Sequence, residues 1–230
     1  MATNIIVSYD NTENDRDALA LGRRLRDAGA TISLAYVRHI QLSHADQEAL
    51  EEGEAQRLLA EGAELLGDPD VARHVVVDAS TGEGLIALAE REGADLVVFG
   101  SDYRTATGSV QPGNSARRLL DGGRTAVAIA PAGFRDHSGD IASVGFIPSA
   151  DDTSAEDTAG SLAARLGAAV VRDDLSRPDL LVVGSRPEAR EGHVLISAAA
   201  DYAIETSGCP VIVTPRARAI TFAPTQTRVL

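Results

Sequence analysis

A segment bounded by two glycines has the residue types and spacing that best fit ligand chemistry. Gly100 ends an apolar run typical of a buried strand, and thirteen residues later Gly113 precedes Asn114 and Ser115 at the start of a helical pattern. A helix N-terminus offers unpaired backbone N–H groups, and glycine lets an anion approach the backbone closely. The segment therefore predicts a site for an anionic ligand, although glycines at such positions are also ordinary structural punctuation.

Other patterns that carry chemistry are absent from the sequence. The five histidines show no i, i+4 pair that could hold a metal on one helix, and no Walker, Rossmann or Gly-x-Ser-x-Gly motif occurs. Ser109 follows a glycine but has no evident base partner. The single cysteine, Cys209, excludes an intrachain disulfide, and a buried apolar role is expected for it. We therefore expect no catalytic residue, no metal site and no enzymatic activity.

The charge balance argues against nucleic acids and anionic membranes as partners. The net charge is −13, and all 21 basic residues are arginine. Phosphate groups of nucleic acids are bound mainly by clustered basic side chains, which an acidic protein lacks. No run approaches the roughly eighteen apolar residues of a membrane span, and the first residues lack the pattern of an export signal. A cytoplasmic location is therefore expected.

The sequence contains an internal repeat with a piece missing. Residues 95–101 (DLVVFGS) recur as residues 179–185 (DLLVVGS), an offset of 84. The same offset places 125–131 over 209–215, whereas nearer the N-terminus the offset is 138. A fixed offset at both ends of a segment indicates a duplicated unit. Because the two offsets differ by 54 residues, the second copy is predicted to have lost that much from its middle.

Apolar runs alternate with helical patterns along both copies. The first copy predicts strands at 4–9, 31–37, 72–78, 95–100 and 125–130 and helices at 13–28, 45–66, 83–93 and 113–121. The second predicts strands at 142–147, 168–172, 179–184 and 210–214 and helices at 153–166 and 196–206. Such alternation is typical of an α/β fold, an open parallel sheet with helices on both faces. We predict a complete domain at 1–135, a shortened copy at 141–216, and a tail at 217–230 that is an extra strand or disordered.

The first copy resembles the universal stress protein family, which has an adenine-nucleotide-binding α-hydrolase-like fold. The resemblance spans residues 3–131, and it rests on residues 82–101, the loop that follows them and the closing run 127–131. The second copy looks like a truncated version of the same domain.

The loop resembles the phosphate-binding motif of that family. Its nucleotide-binding members carry Gly, two residues, Gly, nine residues, and then Gly followed by Ser or Thr. In this sequence the spacing matches in full, and Gly100 and Gly113 match the first and third glycines. Tyr103 replaces the middle glycine, and Asn114 replaces the hydroxyl residue. Arg104 resembles the arginine often found after the middle position.

The resemblance implies where an adenine nucleotide would bind. ATP or AMP is expected in the first copy, with contacts from Asp10, Val37, Gly100, Ser101, Arg104, Gly113, Asn114 and Ser115. Asp10, at the end of the first strand, would contact adenosine, and Val37, at the end of the second, would contact adenine through its backbone. Asp10-Asn11-Thr12 has a plain alternative role as the N-cap of the next helix. In the second copy Pro148 and Ser197 replace Asp10 and Gly113, so no nucleotide is expected there.

Two functions of different kinds remain open, and a third, an enzyme of the wider adenine-nucleotide-binding α/β group, would need a catalytic insertion that the sequence does not show. The resemblance implies a non-catalytic regulator in the stress response whose contacts with a protein partner change when adenine nucleotide binds. The alternative is a ligand-free interaction scaffold, which Tyr103 and the altered second copy favour. Domains of the family commonly pair through their last strands, so 127–130 is expected against 211–213 as a pseudo-twofold pair within the chain. A homodimer on the same strands is the competing arrangement.

Overall fold

The computed structural model describes residues 3–39, 45–172 and 177–222. Its strands are β1 (Asn4–Ser8), β2 (Thr31–His39), β3 (Ala72–Asp78), β4 (Leu96–Gly100), β5 (Ala126–Ala130), β6 (Ser143–Ile147), β7 (Ala169–Val171), β8 (Leu180–Gly184) and β9 (Val211–Thr214). Its helices are α1 (Asp15–Asp27), α2 (Ala45–Leu66), α3 (Thr81–Glu92), α4 (Asn114–Leu120), α5 (Ser154–Leu166) and α6 (Ala198–Thr206). Each matches a predicted element, with ends that differ by at most two residues. A 3₁₀ turn over Phe134–Asp136 is additional.

The described strands form one sheet in the order β3-β2-β1-β4-β5-β9-β8-β6-β7. Among them β5 and β9 alone run antiparallel to each other, and all other neighbours are parallel. The expected pairing of 127–130 with 211–213 is confirmed, and Ala128 lies opposite Ile212. Because β4 and β9 occupy both edges of β5, these strands are not free to build the competing homodimer.

The strand order agrees with the repeat. Towards the β5–β9 junction the first half reads β2-β1-β4-β5, and the second half reads β7-β6-β8-β9. In the described part of the chain, no counterpart of α2, β3 or α3 lies between β7 and β8. The order is what a shortened duplicate would show, while the duplication itself and the domain boundaries stay predictions.

Two apolar layers cover opposite faces of the sheet. On one face α1, α2 and α5 pack, with Leu21 and Leu162 fully buried. On the other face α3, α4 and α6 pack, with Leu85 and Ile204 fully buried. Strands that are apolar on both faces require cover on both sides, as the sequence pattern predicts. Because β1, β2 and β4 are parallel, their carboxyl ends lie at the same edge of the sheet, where the candidate loop begins.

Residues 217–222 correct the prediction for the tail. They form no strand, and Ile220 and Phe222 are buried in the layer that contains α5. The backbone N–H of Ile220 donates to the Thr158 hydroxyl at 2.9 Å. Burial of Ile220 and Phe222 holds this segment against the protein. Its apolar residues follow neither a helical nor a strand period, so a search for periodic patterns does not find it. Residues 223–230 of the predicted tail lie outside the described residues.

Candidate functional site

The loop of residues 101–112, between β4 and α4, is closed at its base by hydrogen bonds. The Ser101 hydroxyl donates to the Ala130 carbonyl oxygen at 2.8 Å and accepts the Gln111 N–H at 3.2 Å. The N–H of Asp102 donates to the Gln111 carbonyl at 2.8 Å. Because Ser101 is only 4% exposed, its side chain braces the loop from within the protein.

The tip of the loop carries an exposed aromatic ring and a cation. Tyr103 is 71% exposed, and the Arg104 guanidinium lies 4.9 Å from the centre of its ring. One carboxylate oxygen of Asp102 accepts the Arg104 N–H at 3.1 Å, which orders the turn. The tyrosine that replaces the middle glycine of the motif is therefore not packed into the base of the loop.

Gly113 lies directly before the first residue of α4, and the space around it is open. Its backbone is extended (φ −70°, ψ 172°), a conformation that any residue adopts, and no side chain caps the helix start. A Cβ built on Gly113 would have a carboxylate oxygen of Asp102, at 3.9 Å, as its near neighbour. Asn114 is exposed and Ser115 is half-buried. An anion can approach the backbone here, but the Asp102 carboxylate lies next to the path.

Gly100 is required by a close contact with the turn that follows β1. A Cβ at this position would lie 2.1 Å from the carbonyl oxygen of Asn14, closer than two such atoms can approach. The Asn14 side-chain amide donates to the carbonyl oxygens of Ser101 and Asp102 at 2.9 and 2.8 Å. These contacts lock the start of the loop against the start of α1.

Asp10 lies exposed after β1, beside a second carboxylate. The N–H groups of Asp10 and Thr12 both donate to one oxygen of Asp15, at 3.0 and 2.9 Å. The pKa of Asp15 is raised to about 8. Burial is the larger cause, and the neighbouring Asp10 carboxylate is the second. The N-cap role suggested for residues 10–12 is wrong, because the N-cap position of α1 is Asn14.

Val37 lies within β2 and not at its end. The strand continues to His39, two residues beyond the predicted end, and Val37 pairs with Val76 of β3. Its side chain is buried against α3, where a Cβ built on Gly84 would lie 3.0 Å from it. A contact with adenine through the Val37 backbone stays a prediction.

The predicted residues group on two sides of the loop. Asp10 leads into the turn that contacts the Gly100 end, while Gly113, Asn114 and Ser115 form the opposite side at α4. Ser101 and Val37 direct their side chains into the protein and not towards the loop opening.

Sequence reasoning missed three polar residues at this edge of the sheet: Asn14, Asp15 and Asp102. Asp102 lies inside the motif, so its charge could have been noticed from the spacing alone. The contacts of Asp15 with the N–H groups of Asp10 and Thr12 are also local in the sequence, whereas Asn14 contacts a loop 87 positions away.

The second half contains a loop with the same hydrogen bonds, over residues 184–197. The Ser185 hydroxyl donates to the Thr214 carbonyl at 2.6 Å and accepts the Leu195 N–H at 3.2 Å. The Arg186 N–H donates to the Leu195 carbonyl at 2.8 Å. Each of these residues is 84 positions after its counterpart in the first loop. At the open end, however, the Ser197 side chain caps α6 by accepting the Ala200 N–H at 3.1 Å.

The part of the chain that the structure describes contains neither a candidate metal site nor a candidate membrane span. There, no group of three or more histidine, cysteine, aspartate or glutamate residues is placed to hold a metal ion. No described helix combines the length and apolar character needed to cross a membrane. Cys209 is buried, and burial raises the pKa of its thiol to about 11.

Comparison with known proteins decides the family. The model of the universal stress protein family matches residues 1–131, more than half of the chain. The chain belongs to the universal stress protein family. A comparison with curated proteins found no match.

Solved structures share the fold of this universal stress protein over both halves. A universal stress protein from Archaeoglobus fulgidus DSM 4304 is similar with a TM-score of 0.71 and 15% identity, over 93% of this chain and 98% of that one. A protein of unknown function from Pseudomonas aeruginosa PAO1 gives 0.59 and 12%, over 94% and 93%. A universal stress protein in complex with cAMP gives 0.45 and 25%, over 56% of this chain and 97% of its own. The first two likenesses extend the shared fold across the β5–β9 junction.

Proposed function

We propose that this universal stress protein is a non-catalytic regulator that binds an adenine nucleotide, ATP or AMP, at the loop of residues 100–113. The observation that carries the proposal is the open backbone beside Gly113, where α4 begins without a side-chain cap. Its uncapped N–H groups and the helix dipole favour a phosphate group. The full match of the motif spacing supports the same assignment.

The proposal treats residues 141–216 as a truncated copy that binds no nucleotide. In the second loop the Ser197 hydroxyl already occupies an N–H of α6, and its Cβ stands where Gly113 leaves space. Pro148 stands where the first copy has Asp10, so the adenosine contact has no counterpart.

The charges around the loop affect how many phosphate groups the ligand is expected to carry. The carboxylate of Asp102 near Gly113 repels phosphate, while the exposed guanidinium of Arg104 attracts it. A ligand with fewer phosphate charges suits this balance better, so AMP is expected to bind more tightly than ATP. No reaction on the nucleotide is proposed, because the sequence offers no nucleophile with a base partner.

The alternative is a scaffold that binds no ligand. Tyr103 in place of the middle glycine and the acidic neighbour of Gly113 favour it. In that case the loop serves only to connect β4 to α4.

Isothermal titration with ATP, AMP and GTP tests the two functions. Gly113→Val introduces side-chain atoms where a phosphate would approach, and valine accepts the backbone angles of this position. Ser197→Val places the same side chain at the equivalent position 84 residues later; it also removes the cap of α6, and it is the control for effects outside the first loop. Adenine-selective binding that Gly113→Val abolishes and Ser197→Val preserves is the expected result. If protein that unfolds cooperatively on heating gives no heat of binding with any nucleotide, the scaffold function is supported instead.

A further inference from the structure

The contact between α4 and α6 brings equivalent positions of the repeat together. In the sheet, Ala128 lies opposite Ile212, and these residues are 84 positions apart. The local twofold relation between the halves therefore passes between them. A residue on such an axis meets its own counterpart, as in an isologous dimer.

On the helices, the counterparts that meet carry opposite charges. Arg117 of α4 contacts Asp201 of α6 with a distance of 3.3 Å between Nη1 and Oδ1, and these positions are also 84 apart. The other guanidinium nitrogen lies 2.9 Å from a carboxylate oxygen of Glu205. One arginine thus faces two carboxylates across the junction.

Pairing of two second halves would lose this complementarity, because it would place Asp201 against Asp201 and Glu205 without a cation among these positions. Two first halves would place Arg117 against Arg117, but each arginine would also meet Asp121, the counterpart of Glu205. That pairing keeps as many opposite-charge contacts as the observed one. The second half therefore needs Arg117 of a first half against its acids.

We propose that the charges of α4 and α6 disfavour the pairing of the second half with another copy of itself, so that the second half pairs with the first. The acidic face of α6 is then a dedicated partner for the cationic position of α4. The side chains are half-exposed, between 35% and 41%, so the pair adds little stability, and its effect lies in rejecting the wrong partner.

Variants of the full chain can reproduce the charges of each like-with-like pairing inside one molecule. Asp201→Arg with Glu205→Asp gives α6 the residues that α4 carries at 117 and 121. Arg117→Asp with Asp121→Glu gives α4 the residues that α6 carries at 201 and 205. The fourfold variant exchanges the two sets and restores opposite charges across the junction.

Thermal unfolding at low salt measures how much these charges contribute to the stability of each variant. Arg117→Asp with Asp121→Glu, which makes the junction all acidic, is expected to lower Tm by about 2–4 °C. Asp201→Arg with Glu205→Asp is expected to lower Tm much less, because two Arg–Asp contacts replace the lost pairs. The fourfold variant is expected to recover nearly all of the loss. The losses should shrink in 1 M NaCl, where charges are screened within about 3 Å. A fourfold variant as unstable as the all-acidic double variant would overturn the proposal, and so would a loss for the all-acidic variant that salt does not change.

Discussion

The loops at residues 100–113 and 184–197 have the same framework and different open ends. In both, a buried serine hydroxyl holds the two sides of the loop together through one carbonyl and one N–H group. At the open end the first loop has Gly113 and an uncapped helix, while the second has Ser197 capping its helix. The framework is thus a requirement of the fold, because it occurs in both halves. The proposed binding of nucleotide must therefore depend on what differs between them.

Charge is the second difference between the loops. The first loop carries Asp102 where the second carries Arg186, whose guanidinium pairs with Glu188 at 2.8 Å. Near the first loop, Asp10 and Asp15 add a carboxylate pair, whereas the corresponding positions of the second half are Pro148 and Thr153. These three carboxylate positions of the first half therefore have no acidic counterpart in the second.

The largest expected effect comes from adding a methyl group at the start of each loop. Gly100→Ala forces the Asn14 carbonyl, 2.1 Å from the new Cβ, to move with its backbone, whereas at Gly184 the nearest atom, Ser149 N, is 3.1 Å away. We expect Gly100→Ala to lower the free energy of unfolding by about 3 kcal/mol and Gly184→Ala by less than about 1.5 kcal/mol. Urea denaturation measures both. Equal losses would show that the two loop starts are packed alike.

An intermediate effect is expected from Asp15→Asn, and it should depend on pH. Between about pH 4 and pH 8 the unfolded chain has lost the Asp15 proton while the folded protein keeps it, so stability falls as pH rises through this window. Asparagine removes this proton equilibrium and can still accept the N–H groups of Asp10 and Thr12. The Tm of the variant relative to the unmodified protein should therefore rise from pH 5 to pH 8.

Thr153→Asn is the matched control for that titration, because Thr153 occupies the corresponding place before α5. Its Tm difference from the unmodified protein should be the same at every pH. A constant difference for Asp15→Asn as well would mean that Asp15 titrates normally.

The smallest expected effect concerns affinity for nucleotide. Asp102→Asn keeps an oxygen that can accept the Arg104 N–H but removes the negative charge beside Gly113. We expect AMP to bind a few times more tightly, because a surface charge at this distance contributes on the order of 1 kcal/mol or less. Titration calorimetry on both proteins checks this, with Arg186→Gln in the second loop as a control that should leave affinity unchanged. Weaker binding by Asp102→Asn would mean that the carboxylate helps to hold the ligand.

Much of the fold could be predicted from sequence because its elements have local causes. Gly93 and Gly167 end α3 and α5 with positive φ angles of 61° and 67°, which glycine adopts most readily. The β5–β9 pairing followed from the repeat and the family resemblance together. Each of these inferences depends on a short stretch of sequence or on a comparison of two stretches.

The missed features depend on residues far apart in the chain. Asn14 contacts a loop 87 positions away, and Asp17, which is fully buried, accepts the N–H groups of Gly133 and Arg135. In the sequence both look like ordinary polar residues near the start of a helix. Another feature not predicted from sequence is that the second loop keeps the hydrogen bonds of the first. These bonds need only one serine and the backbone, so they survive the side-chain changes around them.

The antiparallel junction of β5 with β9 also bears on how the chain would respond to a protease. Residues 136–140 are exposed and connect the halves, so a protease could cut the chain there. The fragments would still share a continuous sheet, and the Thr3 hydroxyl would still donate to the Thr221 carbonyl at 2.8 Å. A nicked molecule would therefore migrate as one particle in a native gel and separate into two only after denaturation.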